Sequence, residues 1–377
     1  MTPPGVSIVV PTVGRPCLGT LLKALGPLPD GMELVIVDDR PDRTTRLGLP
    51  PDSPARVLPG RAAGPAAARN TGWRAARHEW IAFLDDDVIP EPGWTTRLIE
   101  DLRRAERMDG RIGGVQGDLW VPLPAGRRLT DWERVTAGLA GGEWITADMA
   151  YRRAALARTG GFDERLPRAF REDAELAHRV RRAGWTLLQG SRSTAHPVRP
   201  ESRWISLRTQ RGNADDALLR RLYGPHWRDL LRIPPGRRHR HAAIVTCLAA
   251  AVGCAAVAGT RAGGRFWPVA ATLATAGWAA GTAEFAAARI APGPRDRREV
   301  TTMLLTSAVI PPMAVAHWLR GWFHWRGAEP LPEVPAGLQR VVTPTDAITI
   351  RPEKADEPDD SEETVRDDEG VRAGARR

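Results

Sequence analysis

Three largely apolar runs mark the N-terminal part of the chain: Val6–Pro11, the core of Glu33–Asp39 (ELVIVDD), and the first five residues of Trp80–Asp87 (WIAFLDDD). Apolar runs without alternation predict strands buried on both faces, as in a parallel sheet. Between them a Pro16-led segment to Leu25 reads as helix. Gly60–Arg77 (GRAAGPAAARNTGWRAAR) reads as a Gly-rich loop entering a second helix. Strands alternating with helices in this way indicate βαβ units, hence an α/β fold. From about Gly113 to Trp185 the pattern weakens into short strand-like pieces and two helix candidates, Tyr151–Arg158 and Glu172–Ala183. Arg199–Leu231 is amphipathic and Arg-rich.

The pattern then changes. After Arg237–His241 (RRHRH) come three segments without Asp, Glu, Lys or Arg: Ala242–Thr260, Phe266–Ala283 and Val300–Trp318. Each is long enough, at about 1.5 Å per residue, to cross most of a ~30 Å hydrocarbon core. Small residues dominate, which suits close helix packing in lipid. The first two read as a membrane hairpin. The third, interrupted by Pro311–Pro312, reads as a kinked span or an interfacial helix. A soluble Ala-rich helical subdomain is the competing reading. Arg237, Arg238 and Arg240 before the first segment, and Arg289, Arg295, Arg297 and Arg298 between the second and third, outnumber Arg261 and Arg265 in the first turn. That asymmetry predicts a cell-membrane protein whose N-terminal domain faces the cytoplasm. The opening residues form no secretory signal, since Val6–Pro11 is too short for its apolar core.

Charge adds less than its size suggests. The 377 residues carry a formal net charge of +9, yet of 54 basic residues only Lys23 and Lys354 are lysines. The arginines are scattered and not set in a stripe interleaved with aromatics, which excludes a nucleic-acid partner. Residues 351–377 are acidic, and the chain from 327 onward is Pro-rich and then acidic, so it is expected to be disordered. Three cysteines, Cys17, Cys247 and Cys254, make no disulfide scaffold and fit a reducing compartment.

The chemistry gathers where the apolar runs end. Asp38–Asp39 and Asp85–Asp86–Asp87 lie at the carboxyl ends of two strands, where open α/β sheets bind ligands. Alternation places Asp85 and Asp87 on one side and Asp86 on the other. Paired carboxylates are hard oxygen ligands suited to Mg²⁺ or Mn²⁺ on a diphosphate. No G-x-G-x-x-G follows the first strand and no G-x-x-x-x-G-K-[ST] is present, which argues against dinucleotide oxidoreductases and P-loop NTPases.

Taken together, Ser7–Arg15 (SIVVPTVGR), Glu33–Asp39, Ala66–Gly72 (AAARNTG), Ala82–Val88 (AFLDDDV), Thr146–Arg153 (TADMAYRR), Gly160–Glu164 (GGFDE) and Glu172–Arg179 (EDAELAHR) resemble glycosyltransferase family 2, in particular a membrane-anchored bacterial member. The resemblance covers about residues 5–200. It implies a GT-A fold, with a Rossmann-like, mostly parallel central sheet flanked by helices, here followed by C-terminal membrane-associated helices. It also implies a division into a catalytic domain (1–232), a basic juxtamembrane linker (233–241), membrane helices (242–326, with spans at about 242–260, 266–288 and, for the third segment, 300–318) and a disordered tail (327–377).

The same resemblance implies site roles. Pro11, Thr12 and Arg15 would line the nucleotide pocket, with Asp38, Asp39, Arg69, Asn70, Asp85 and Asp86 around nucleoside and diphosphate. Asp87 would be the principal metal ligand, joined by Asp85 and, as in some relatives, by His196. Asp173 would be the general base and Glu172 its helper, although Asp163 and Glu164 compete for the role. Ala147–Asp148 departs from the family's usual Gly/Ala-Asn and would add a carboxylate near the donor sugar. Trp120 and Trp144 are candidates to stack on sugar or lipid. The implied activity is metal-dependent inverting transfer from a nucleoside-diphosphate sugar to a hydroxyl of a lipid-linked or cell-envelope glycan. The alternatives are a polyprenyl-phosphate glycosyltransferase and a non-catalytic nucleotide-sugar-binding scaffold.

Overall fold

In a computed structural model the chain is described for residues 4–50, 53–108, 110–260 and 264–329. The tail expected from 327 lies, beyond residue 329, outside the described residues. The strands are β1 (Val6–Thr12), β2 (Met32–Asp38), β3 (Arg56–Pro59), β4 (Trp80–Leu84), β5 (Ile89–Pro90), β6 (Ile112–Trp120), β7 (Asp148–Arg152) and β8 (Thr186–Ala195). They form one eight-stranded sheet in the order β3-β2-β1-β4-β7-β6-β8-β5. β3, β2, β1 and β4 run parallel, and β6 runs parallel to β8. β7 is antiparallel to both β4 and β6, and β5 to β8. The α/β reading holds, with an antiparallel insertion at the centre.

The helices of this domain are α1 (Cys17–Leu25), α2 (Pro65–Ala75), α3 (Trp94–Met108), α4 (Asp131–Ala137), α5 (Arg153–Thr159), α6 (Glu172–Arg182), α7 (Ile205–Arg208), α8 (Asn213–Tyr223) and α9 (Trp227–Leu230). Alternation along β1 sends Val6, Ile8 and Val10 into a core shared with Leu18, Leu21, Leu98 and Leu102 of α1 and α3. Val9 joins the opposite core, with Ala66, Ala68, Leu156 and Leu176 from α2, α5 and α6. Both faces are therefore covered, the physical reason β1, β2 and β4 read as largely apolar runs. One expectation fails here. Tyr151 and Arg152 end β7, so the helix predicted from Tyr151 begins at Arg153.

The C-terminal helices are α10 (Arg238–Ala258), α11 (Phe266–Ile290) and α12 (Arg297–His324). α10 and α11 form the predicted hairpin: Gly281 packs on Ile244, and His241 meets Phe285 edge to face at 4.8 Å. Away from its base the hairpin is open to the surroundings, with Val252, Phe266, Val269 and Leu273 all exposed. Among the described residues two helices are long and apolar enough to cross a membrane, α10 and α12. α11 is not one of them, which differs from the expectation that the first two segments are the spans. Gly, Thr, Pro and Trp dilute its hydropathy.

α12 runs unbroken through Pro311 and Pro312 and lies along the α/β domain at both ends. Near its start Glu299 accepts the Asp131 backbone N–H at 2.9 Å. Near its end a Cβ on Gly321 would stand 2.5 Å from the Ala214 carbonyl oxygen of α8, so only glycine permits that approach. Trp325 and Ala328 then pack on a third core of Leu166, Leu218, Leu219, Leu222 and Trp227. Residues 297–329 therefore belong to the packing of the α/β domain as much as to the helical hairpin.

Candidate active site

Register brings the chemistry together. β1 pairs with β2 so that Thr12 faces Asp38, and with β4 so that Val9 faces Phe83. The parallel strands thus end at one edge, and the three aspartates after β4 leave the sheet in a turn there. Asp86 is buried against the loop after β1: Thr12 Oγ1 donates to it at 2.6 Å and Arg15 Nη1 at 2.6 Å. Asp85 and Asp87 find other partners, as alternation predicts. Arg69 Nη2 of α2 donates to Asp85 at 2.6 Å, while Arg199 Nε stands 3.0 Å and His196 Nε2 3.7 Å from the Asp87 carboxylate.

A chain of charge continues from Asp85 into α6. Arg69, buried and 2.8 Å from Glu172 Oε1, bridges the strand-end carboxylate to the helix start. The other Glu172 oxygen accepts the Phe170 backbone N–H at 2.6 Å. Burial and the neighbouring Asp173 raise the Glu172 carboxyl to about 7 against the pull of Arg69. Burial likewise raises Asp173, opposed by the Ala174 N–H and Arg69. Burial and Asp85 raise Asp87, opposed by His196 and Arg199. Asp85 goes the other way: burial acts against its charge, but Arg69 outweighs it and holds the carboxyl below its usual range. Arg171, before α6, has φ +76°. That left-handed conformation is costly for a side chain other than glycine and sets the direction in which Glu172 and Asp173 leave the loop.

Asp173 differs from its neighbours. Asp38 is held by Arg40, Asp85 and Glu172 by Arg69, Asp86 by Arg15, Asp87 by Arg199, Asp163 by Arg165 and Glu164 by Arg61. Among the described residues Asp173 has no ion pair, and its carboxylate accepts only the Ala174 N–H at 2.7 Å.

Several expected contacts are committed elsewhere. Asn70 spends its amide on the loop after α5, donating to the Phe162 carbonyl and Glu164 and accepting from Trp73 Nε1 and the Phe162 N–H. It is a clamp for that loop and not an open nucleotide contact. Asp148 is sealed: Trp94 Nε1, Thr194 Oγ1 and Arg192 Nε donate to it at 2.7, 2.6 and 2.7 Å. Its oxygens are occupied by these protein donors. Asp39 accepts the backbone N–H groups of Ala62 and Gly64, so it shapes the loop before α2. Trp144 is buried in the core, whereas Trp120 is 41% exposed with its Nε1 donating to Glu91. Pro11 lies buried in β1 beside Val37. Sequence reasoning missed Arg199 and Arg171. The spacing of Arg199 from His196 (HPVR) is a signal only once His196 is known to face Asp87.

Among the described residues no three His, Cys, Asp or Glu side chains gather as a ready metal site. Asp87 and His196 form a pair with a buried, unpartnered His196 Nδ1 behind it. Such a pair fits a cation that takes its remaining ligands from substrate phosphates and water.

Residues 7–145 match the family model of glycosyl transferase family 2. The chain is 29% identical over 158 residues to the pre-mycofactocin glycosyltransferase of Mycobacterium tuberculosis, covering 38% of this chain and 32% of that protein. It is 43% identical over 72 residues to the succinoglycan biosynthesis protein ExoO of Rhizobium meliloti, covering 18% and 21%. It therefore spans under a third of the length of these curated relatives. Among solved structures it is similar to the glucosyl-3-phosphoglycerate synthase of Mycobacterium tuberculosis in complex with Mn²⁺, UDP and phosphoglyceric acid. The TM-score is 0.40 at 19% identity, covering 62% of this chain and 80% of that one. The family match ends before Asp148, Glu172, Asp173 and His196, whose roles rest on geometry.

Proposed function

Starting from residues 7–145 as a domain of glycosyl transferase family 2, we propose that the protein is an inverting glycosyltransferase. It takes a sugar from a nucleoside-diphosphate donor to a hydroxyl on a lipid-linked or cell-envelope glycan. The observation that carries this reading is Asp173, which among the described residues has no ion pair and accepts only the Ala174 N–H, set beside the Arg69–Asp85–Glu172 chain.

The steps follow from the side chains. The donor lies across the carboxyl ends of β1, β2 and β4. The acceptor oxygen attacks the sugar C1 from the face opposite the diphosphate, the C1–O bond to the diphosphate breaks, and the configuration inverts. Asp173 accepts the hydroxyl proton, and its raised affinity for protons suits it to that task. Arg15 and Arg69 present fixed positive charge near the departing diphosphate. Asp87 and His196, with Asp85, would hold a divalent cation, Mg²⁺ or Mn²⁺, which supplies Lewis-acid stabilisation of the leaving group when bound.

The C-terminal helices support attachment to the cell membrane with the catalytic domain in the cytoplasm. The hairpin base carries Arg237, Arg238, Arg240 and Arg289, and Arg295 precedes α12, whose first turn carries Arg297 and Arg298. A tether of this kind concentrates the enzyme at a bilayer acceptor.

Two measurements test the proposal. Purified protein is screened by thermal shift against UDP-, GDP-, dTDP- and ADP-sugars with Mg²⁺ or Mn²⁺; one donor class should raise the melting temperature, and a flat response to all four would defeat the reading. His196→Ala should weaken Mn²⁺ binding in a direct titration, and an unchanged titration removes His196 from the ligand set.

A further inference from the structure

Where the C-terminal half of α12 crosses the α/β domain, it closes a cavity of about 470 Å³ against α8 and the loop between Asp163 and Glu172. That size lies within the ~300–1,000 Å³ of small-ligand sites. Arg165, Arg168 and Arg211 line it from the α/β domain, and His317, Arg320 and His324 from α12. The carboxylate in the lining is Asp215, and Arg168 Nη1 already holds it at 2.6 Å. Arg165 is bound to Asp163. Arg211 and Arg320 differ: among the described residues neither side chain has a hydrogen bond or an ion pair. Two free guanidinium groups from different elements therefore converge on one cavity, with two imidazoles beside them.

Unpaired like charges held together oppose the packing of α12 on α8, and a bound anion relieves that opposition. The cavity differs from the opposite flank of α12 in gathering guanidinium groups from two elements around an enclosed space. On the opposite flank Arg238 stacks on Trp318 at 4.2 Å and Arg221 on Trp322 at 5.5 Å, so those arginines already have partners.

We propose that this cavity is a binding site for a phosphate group, separate from the nucleotide-sugar site. Planar guanidinium groups match phosphate oxygens bidentately. Asp215 Oδ2, buried and without a hydrogen-bond partner, would accept from a protonated phosphate oxygen. The same chemistry is presented by a lipid headgroup and by free phosphate. Next to the cavity-lining His324, Phe323 of α12 is 64% exposed, an apolar surface on which acyl chains could rest beside the basic opening. The inference stands on the cavity alone, so phosphate binding and sugar transfer can fail independently.

The test uses the full chain in phosphatidylcholine nanodiscs, titrated calorimetrically with inorganic phosphate, dihexanoyl phosphatidic acid or dihexanoyl phosphatidylcholine. The proposal expects the phosphatidic acid to bind, the phosphatidylcholine to bind far more weakly, and Arg211→Ala/Arg320→Ala to lose roughly tenfold or more in affinity. Both side chains are exposed, so the melting temperature of the unliganded variant should stay at the wild-type value. Arg103→Ala/Arg104→Ala on α3 controls for net charge and should bind like wild type. Inorganic phosphate binding as tightly as the lipid assigns the site to the free ion; lipid binding alone assigns it to a headgroup. Absence of binding in both arms, or equal loss in both double variants, overturns the proposal.

Discussion

Two buried arginines hold two carboxylates each, and they do so to different ends. Arg192 lies between Asp148 at 2.7 Å and Asp101 at 3.1 Å, and Trp94, Thr194 and Ser191 supply further donors to the same carboxylates. Arg69 lies between Asp85 at 2.6 Å and Glu172 at 2.8 Å, but Asp85 is 26% exposed and an unpaired Asp173 follows Glu172. The first group is closed and every oxygen is spent. The second is left open on one side, and that opening separates a site from a brace made of the same residue types. Low dielectric strengthens both, but only the open one can exchange a partner for a substrate.

The comparison can be broken most directly at Arg192. Arg192→Ala strands two carboxylates in the interior and should cost about 3–5 kcal/mol in chemical unfolding. Arg69→Ala should cost less, because Asp85 can rehydrate and Glu172 can take up a proton. Equal losses would show that the two groups do the same job. Next in size, Asp173→Asn should lower turnover by about a hundredfold or more while leaving nucleotide affinity and unfolding unchanged, since it removes no ion pair; turnover near wild type would return the base role to Asp163 or Glu164.

A pH series sharpens the contrast further. Glu172 holds its proton up to about 7 in the folded protein, above an unfolded carboxyl near 4.5. Between those values the native state binds more protons than the unfolded one, so this group's contribution to stability is present at low pH and is lost as pH rises towards neutrality. Glu172→Gln should flatten that fall by about 2–3 kcal/mol. A wild-type and variant pair with parallel profiles would place the charge elsewhere. Smallest of all, Arg61→Ala breaks an exposed pair with Glu164 and should change unfolding by less than about 1 kcal/mol.

How far the chain could be read before the fold was known follows from the same physics. β1, β2, β4 and the aspartates after them were legible because a doubly covered strand must be apolar at every position and its carboxyl end is then conspicuous. α6 was legible from its acidic start. β8 was not, since TLLQGSRSTA carries a wholly buried Arg192 that reads as polar surface until Asp101 and Asp148 are seen beside it. The hydrogen bonds that Asn70 and Asp148 make within the protein were hidden for a related reason. Their partners, Phe162 and Arg192, lie far along the chain, and a polar residue's role depends on which partner reaches it first. Pro311–Pro312 suggested an interruption, yet α12 continues because packing on both flanks holds the turn that the missing N–H groups leave unbonded.

The double attachment of α12 has a mechanical consequence. Its contacts at Glu299 and Gly321 are separated by about 33 Å at helical rise, so the helix works as a beam pinned at two points with the hairpin rising from between them. A beam so held cannot pivot. Tilt or lateral pressure on the hairpin is passed as shear to α4 at one pin and to α8 at the other. α8 in turn bears on the segment leading to Asp173, because Gly212 lies against the Phe170 ring. Asp173 and the hairpin are therefore coupled through packed elements, and under the proposed membrane attachment the thickness and tension of a bilayer would bear on the proposed base.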